Sequence, residues 1–257
     1  MKIHLLFALL CPAVACASSP FDGTWKVQTD TVQFSKKPDI YELKSDIYQC
    51  KTCTPPVAVK ADGTDQKVTG HAYFDTVAVK VVDPKTIHVE TKLAGKTIGS
   101  NTLTVSDDGT SLTLSFKDDS GEKEATGTQV FKRVKAGAKG SHAISGAWQS
   151  DKLPELSDLA GTVIYKGTGD GLQMSWNGQS YDAKFDGKKV LTVNDPGKTM
   201  VSLKRISESV VEETDSREGK VTDVVRLSVA ADGKTLKVVD RNAQRGTTFS
   251  YEMAKQP

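Results

Sequence analysis

From Lys60 to Leu112 the chain reads KADGTDQKVTGHAYFDTVAVKVVDPKTIHVETKLAGKTIGSNTLTVSDDGTSL, and from Lys184 to Leu236 it reads KFDGKKVLTVNDPGKTMVSLKRISESVVEETDSREGKVTDVVRLSVAADGKTL. The two stretches lie over each other at a constant offset without a gap. Lys60, Asp62, Gly63, Val77, Lys80, Gly95, Lys96, Leu103, Val105, Asp108, Gly109 and Leu112 meet identical residues from Lys184 to Leu236. The matches fall on turn residues and on apolar positions of alternating segments, which is what a repeated supersecondary unit leaves behind. Each copy also opens alike, one residue out of step, with Gly23-Thr24-Trp25 against Gly146-Ala147-Trp148.

Working outward, 257 residues divide into two units of about 110 residues, each large enough to bury its own core. The expected organisation is a signal peptide over 1–17, a first barrel over 18–134, a linker over 135–143 and a second barrel over 144–257. Val77, Val79 and Val81 alternate at period two, Asp83-Pro84-Lys85 turns the chain, and Ile87 to Lys92 returns. The same rhythm of short strands and Gly- or Asp-bearing turns continues through both copies, the pattern of an antiparallel meander. Asn177-Gly178 suits a type I′ turn, so Leu172–Trp176 and Gln179–Phe185 form a hairpin with Met174 opposite Tyr181 and Leu172 opposite Ala183. Leu153, Leu156, Leu159 and Ala160 have helical spacing and predict a short helix within 152–160. Gly137, Gly140 and Ser141 mark the linker.

So many consecutively paired strands leave open edges, and closing each sheet removes them. The fold class expected is all-β, two tandem antiparallel up-and-down β-barrels. A pair of β-sandwiches is the alternative.

Basic and acidic residues balance, 34 against 32, and the lysines are spread evenly, which argues against a nucleic-acid surface. Leu5 to Ala15, behind Lys2, is apolar but too short for a transmembrane span, and both Ala13-Val14-Ala15 before Cys16 and Ala15-Cys16-Ala17 before Ser18 fit a signal cleavage site. The expected location is periplasmic or secreted. Lipidation of Cys16 is the lesser alternative, because Leu is missing from the third position before the Cys.

Gly23-Thr24-Trp25-Lys26 resembles the lipocalin signature, and Phe21 to Lys26 is similar to the opening of intracellular fatty-acid-binding proteins. More closely, Gly23 to Lys26, Ala61-Asp62-Gly63, Ser106 to Leu112 and Ala231-Asp232-Gly233 resemble exported bacterial proteins with lipocalin-like repeats. The resemblance implies that Trp25 and Trp148 each plug one end of a barrel whose other end admits a hydrophobic ligand. It also implies an Arg stacked on that Trp from the last strand, for which Arg133 is the candidate in copy one, whereas copy two departs from the pattern with only Lys255 near its end. Neither copy has the lipocalin Thr-Asp-Tyr turn.

Cys50-Lys51-Thr52-Cys53 in an exported chain points to a disulfide. A redox dithiol at a helix start is disfavoured by Thr54-Pro55-Pro56, and no second Cys pair completes a zinc site. The histidines show no ligand-like spacing, and no Gly-x-Ser-x-Gly elbow occurs. No metal, cofactor or catalytic set is therefore expected. Val81 and Val89 of copy one become Arg205 and Glu213 in copy two, so a polar group replaces an apolar one on a strand face. Arg205, placed near the mouth, is a candidate for holding an anionic group, with a solvent-facing rim charge as the alternative. Met174, Trp176, Tyr181 and Phe185 are candidate ligand contacts, with core packing as the alternative. The function these features suggest is binding of a small, largely apolar ligand. A cell-envelope structural or interaction module with filled barrels is the other reading, and nothing suggests an enzyme.

Overall fold

The computed structural model describes residues 18–257. The expected signal peptide and Cys16 lie outside the described residues. The chain runs through β1 (Gly23–Gln33), β2 (Asp39–Lys44), β3 (Ile47–Cys50), β4 (Val57–Lys60), β5 (Gln66–Lys67), β6 (Thr76–Asp83), β7 (Thr86–Leu93), β8 (Lys96–Val105), β9 (Ser111–Asp118), β10 (Ala125–Ala136) and β11 (Gly146–Leu156). A one-turn helix, α1 (Asp158–Gly161), leads into β12 (Thr162–Gly167), β13 (Gly171–Trp176), β14 (Gln179–Lys184), β15 (Val190–Leu191), β16 (Met200–Ser207), β17 (Val210–Arg217), β18 (Lys220–Val229), β19 (Thr235–Asn242) and β20 (Thr247–Lys255).

Alternation builds the sheets. Val77 and Val79 on β6, Ile87 and Val89 on β7, and Leu103 and Val105 on β8 face one core, while the residues between them face outward. The duplicated turns adopt the same conformation: Ala94-Gly95 and Glu218-Gly219 both have two consecutive positive φ angles, as does Asn177-Gly178 at 43° and 82°. The hairpin register expected around Asn177-Gly178 holds, with Met174 opposite Tyr181 and Leu172 opposite Ala183.

The strands form two antiparallel ten-stranded sheets, each curled into a nearly closed barrel. Their free ends approach each other, with a bridge between Asp62 and Lys80 in the first and between Ser180 and Val193 in the second.

The sheets do not follow the repeat. The first has the order β4-β3-β2-β11-β10-β9-β8-β7-β6-β5, and the second β14-β13-β12-β1-β20-β19-β18-β17-β16-β15. The opening strand of each copy is thus built into the other copy's barrel. Strands β2 to β11 are contiguous in sequence, so the first barrel sits as an insertion between β1 and β12 of the second. The reason is chain closure: β10 and β11 are joined by residues 137–145 and zip up as a local hairpin from Ala136–Gly146 to Gly127–Leu156. Pairing β10 with β1 would need closure of a far longer loop. The displaced β1 then fills the equivalent gap between β12 and β20.

The expected helix over 152–160 is replaced by strand as far as Leu156, because β10 captures this segment. Leu153 and Pro154 together stand opposite Gln129 in a bulge, where the missing N–H of Pro154 costs no ladder bond. Only Asp158–Gly161 turns helical, and Ser157 caps it by accepting from the Ala160 amide.

Candidate functional site

Two plugs set the ends of the barrels. Trp25 and Trp148 are fully buried, and each indole Nε1 donates to the carbonyl four residues earlier, Phe21 and Ile144, at 2.8 Å. Gly23 and Gly146 sit at φ of 129° and 142°, a region that favours glycine, which explains why Gly-x-Trp is kept in both copies. Because β1 and β11 are exchanged, Trp148 belongs to the first core and Trp25 to the second. Each Trp meets the cation of its adopted barrel's last strand. The Arg133 guanidinium lies 3.9 Å from the Trp148 ring centre, and the Lys255 ammonium 5.4 Å from that of Trp25. Arg133 also donates to the carbonyls of Gly109, Ser145 and Ala143 at 2.5, 2.8 and 2.7 Å.

The expected site residues divide. Cys50 and Cys53 are joined in a disulfide at the edge of the first core, S–S 2.07 Å. Arg205 lies at the Trp25 end of the second barrel and not at the opposite mouth. Its guanidinium stacks 4.2 Å over Phe185 and donates to the Gly169 carbonyl at 3.0 Å, and both residues line an open hollow of about 640 Å3 at that end, with Phe21, Asp22 and Glu208. Met174 and Trp176 instead line a hollow of about 290 Å3 at the other end, with Val27, Val163, Tyr165, Tyr251 and Met253, under Ala160 and Gly161 of α1. The Trp176 indole donates to the Leu159 carbonyl at 2.8 Å and holds α1 in place over it. Tyr181 is buried and donates from Oη to Glu213 Oε2 at 2.5 Å.

Glu213 belongs to a larger group of acidic side chains in the second barrel. Inward positions of the second barrel change character along three neighbouring strands, away from the Trp25 end. On β17 they run Val211, Glu213, Asp215; on β18, Leu227, Val225, Asp223; on β19, Leu236, Val238, Asp240. Asp215 stands directly opposite Asp223, and Val225 opposite Asp240. The same ladder positions of the first barrel hold Val89, Thr91, Gly99 and Phe116. Four carboxyl groups have therefore entered one barrel and not the other. Comparing the copies position by position, beyond identities, is the signal that finds Asp215, Asp223 and Asp240.

Burial governs their chemistry. It pushes the Glu213 carboxyl up, although Tyr181 donates to it. Asp215 is pushed up to about 8 by burial and then by the charges of Glu213 and Asp223. Asp240 rises to about 6 through burial and the neighbouring Asp223. Burial also raises Tyr165, Tyr181 and Tyr251, so their hydroxyls stay protonated. Asp215 Oδ1, Asp240 Oδ1 and Thr222 Oγ1 are buried with no hydrogen-bond partner among the described residues. Such a cluster can hold a shared proton or receive a positively charged group. The three described histidines all fall in the first barrel, so no imidazole accompanies it.

A wider hollow of about 560 Å3 lies on the first barrel, lined by outward residues such as His88, Thr102, Ser115 and Thr128 with Phe116 and Glu155. It is on the outer side of the sheet. The first barrel's interior is packed by Tyr48, Val79, Ile87, Leu112, Phe131 and Trp148. Among the described residues no helix is long and apolar enough to cross a membrane, and no group of three His, Cys, Asp or Glu side chains could hold a metal ion. The chain matches no family model, no curated protein and no solved structure.

Proposed function

We propose that the protein is an exported binding module that holds a small, largely apolar molecule in its second barrel, at the end opposite Trp25. The observation that carries this reading is the hollow under α1, walled by Met174, Trp176, Tyr165 and Tyr251 beside a cluster of buried carboxyls. Its volume of about 290 Å3 suits a compact ligand, and aromatic and thioether side chains with a few polar groups are the usual lining of such sites. Export is supported by the leader-like segment in the sequence and by the Cys50–Cys53 disulfide, which persists in oxidising compartments. The likeness of both copies to lipocalin-like repeats supports the same reading. The packed first barrel fits the alternative of a filled, structural unit, so within one chain it acts as the scaffold and the second barrel as the receptor.

A neutral naphthalene-based fluorophore titrated into the full chain tests this. One saturable site is expected, abolished by Met174→Trp, which fills the hollow. A site that survives Met174→Trp unchanged would place binding elsewhere and overturn the reading.

A further inference from the structure

We propose that the second barrel selects a molecule carrying a protonated amine on an apolar or aromatic body, its ammonium group seated on Glu213 and Asp215. This rests on the binding reading above and adds the ligand's charge to it.

Four acidic side chains converge from β17, β18 and β19, and none of them is in an ion pair among the described residues. A barrel gains nothing in stability by burying carboxyls without cations, because each loses its hydration. The first barrel shows that the fold accepts Val89, Thr91, Gly99 and Phe116 at those ladder positions instead. An independent observation is Thr222, which is 2 % exposed with its hydroxyl unpartnered. It is the extra residue of a bulge where β18 passes the Asp215–Ser216 step. Val221 beside it faces solvent at 42 % exposure, so Thr222 turns inward next to Asp223. Asp215 Oδ1 and Asp240 Oδ1 are likewise buried, so three acceptors on these strands have no donor among the described residues.

The other groups facing the cluster favour a cation. Tyr165 from β12, Tyr181 from β14 and Tyr251 from β20 remain neutral hydroxyls, and aromatic faces attract a desolvated ammonium. Arg217, whose charge partly offsets the rise at Asp215, makes no ion pair with it and donates instead to Tyr73 Oη at 2.7 Å and Thr199 Oγ1 at 2.9 Å. The absence of a three-ligand metal geometry among the described residues, and the apolar wall next to the acids, point to an organic cation. Since burial holds Glu213 and Asp215 toward their protonated forms in the free protein, an entering ammonium displaces a proton, and affinity rises with pH while the amine stays charged.

The test is calorimetric titration of the full chain with 2-phenylethylamine and with 2-phenylethanol, which share a body and differ in charge. At pH 7 the amine is expected to bind at least about tenfold more tightly, with proton release seen as a buffer-dependent heat, and more tightly at pH 8 than at pH 6. Glu213→Gln and Asp215→Asn, each checked for an unchanged near-ultraviolet dichroism spectrum, should bring the amine down to the alcohol's affinity and leave the alcohol unaffected. Glu213→Gln keeps an acceptor for Tyr181, so it separates charge from packing. Equal affinities for the two probes, or amine binding indifferent to both substitutions, would overturn the charge assignment and leave the binding module standing. Binding of neither probe to the unaltered chain would overturn both.

Discussion

At the scale of single residues, the two barrel plugs look equivalent in sequence but differ in energy. Arg133 satisfies three backbone carbonyls while stacking on Trp148, whereas Lys255 only hovers over Trp25. Arg133→Ala strands those acceptors at the end of the barrel and should cost about 3 kcal/mol in urea unfolding. Lys255→Ala should cost less than about 1 kcal/mol. Equal losses would show that the stacking, not the carbonyl contacts, is what matters. Asp215 makes a pH prediction. Its folded value of about 8 lies above the ordinary 3.8, so between those values the native state holds a proton that the unfolded chain has released. Stability from this group is therefore fully present at acid pH and is lost as pH rises through that window, and Asp215→Asn removes the slope. Denaturation at pH 5 and pH 8 should show the substitution stabilising the chain by about 4 kcal/mol more at pH 8. A substitution that is neutral at both would mean the carboxyl is solvated and ionised.

At the scale of elements, the β13–β14 hairpin was legible because Asn-Gly admits few alternatives, and the register of Leu172 and Met174 followed from it. Its second role was not legible. Asn177 also joins the barrels: its carbonyl accepts from the Glu122 amide at 2.9 Å, and its side chain exchanges hydrogen bonds with the Lys123 backbone at 3.1 and 2.7 Å. Asn177→Ala loses those side-chain bonds and strains a left-handed position, and about 2 kcal/mol of destabilisation is expected from thermal unfolding. The carboxyl cluster was hidden for a related reason. An Asp within an alternating strand reads as a solvent face, and only Glu213 stood out, because its partner in the other copy is Val89. Asp215, Asp223 and Asp240 face Thr91, Gly99 and Phe116 in that comparison, substitutions that become telling only once the ladder shows all of them pointing inward. The helical spacing of Leu153 to Ala160 misled because β10 offered that segment a ladder, a tertiary effect that local periodicity does not carry.

At the scale of the whole molecule, the duplication was plain in the sequence and the exchange of opening strands was not. Gly23–Trp25 and Gly146–Trp148 satisfy the same pairing rules, so pattern alone leaves either strand free to complete either barrel. Chain connectivity decides, through the β10–β11 hairpin. A fragment of residues 37–157 holds every strand of the first barrel and should fold cooperatively by circular dichroism. If it folds only when residues 18–36 are restored, the exchange does not describe the protein in solution. The arrangement also ties the two barrels together, because the second cannot close without a strand that lies on the far side of the first in sequence.

A ligand held in the second barrel alone would show in native mass spectrometry of the chain purified from the envelope of the cells that make it. The expected result is one stoichiometric adduct per chain, removed by organic extraction and missing from the Met174→Trp form. A bare polypeptide mass in both forms would contradict it and leave two filled barrels.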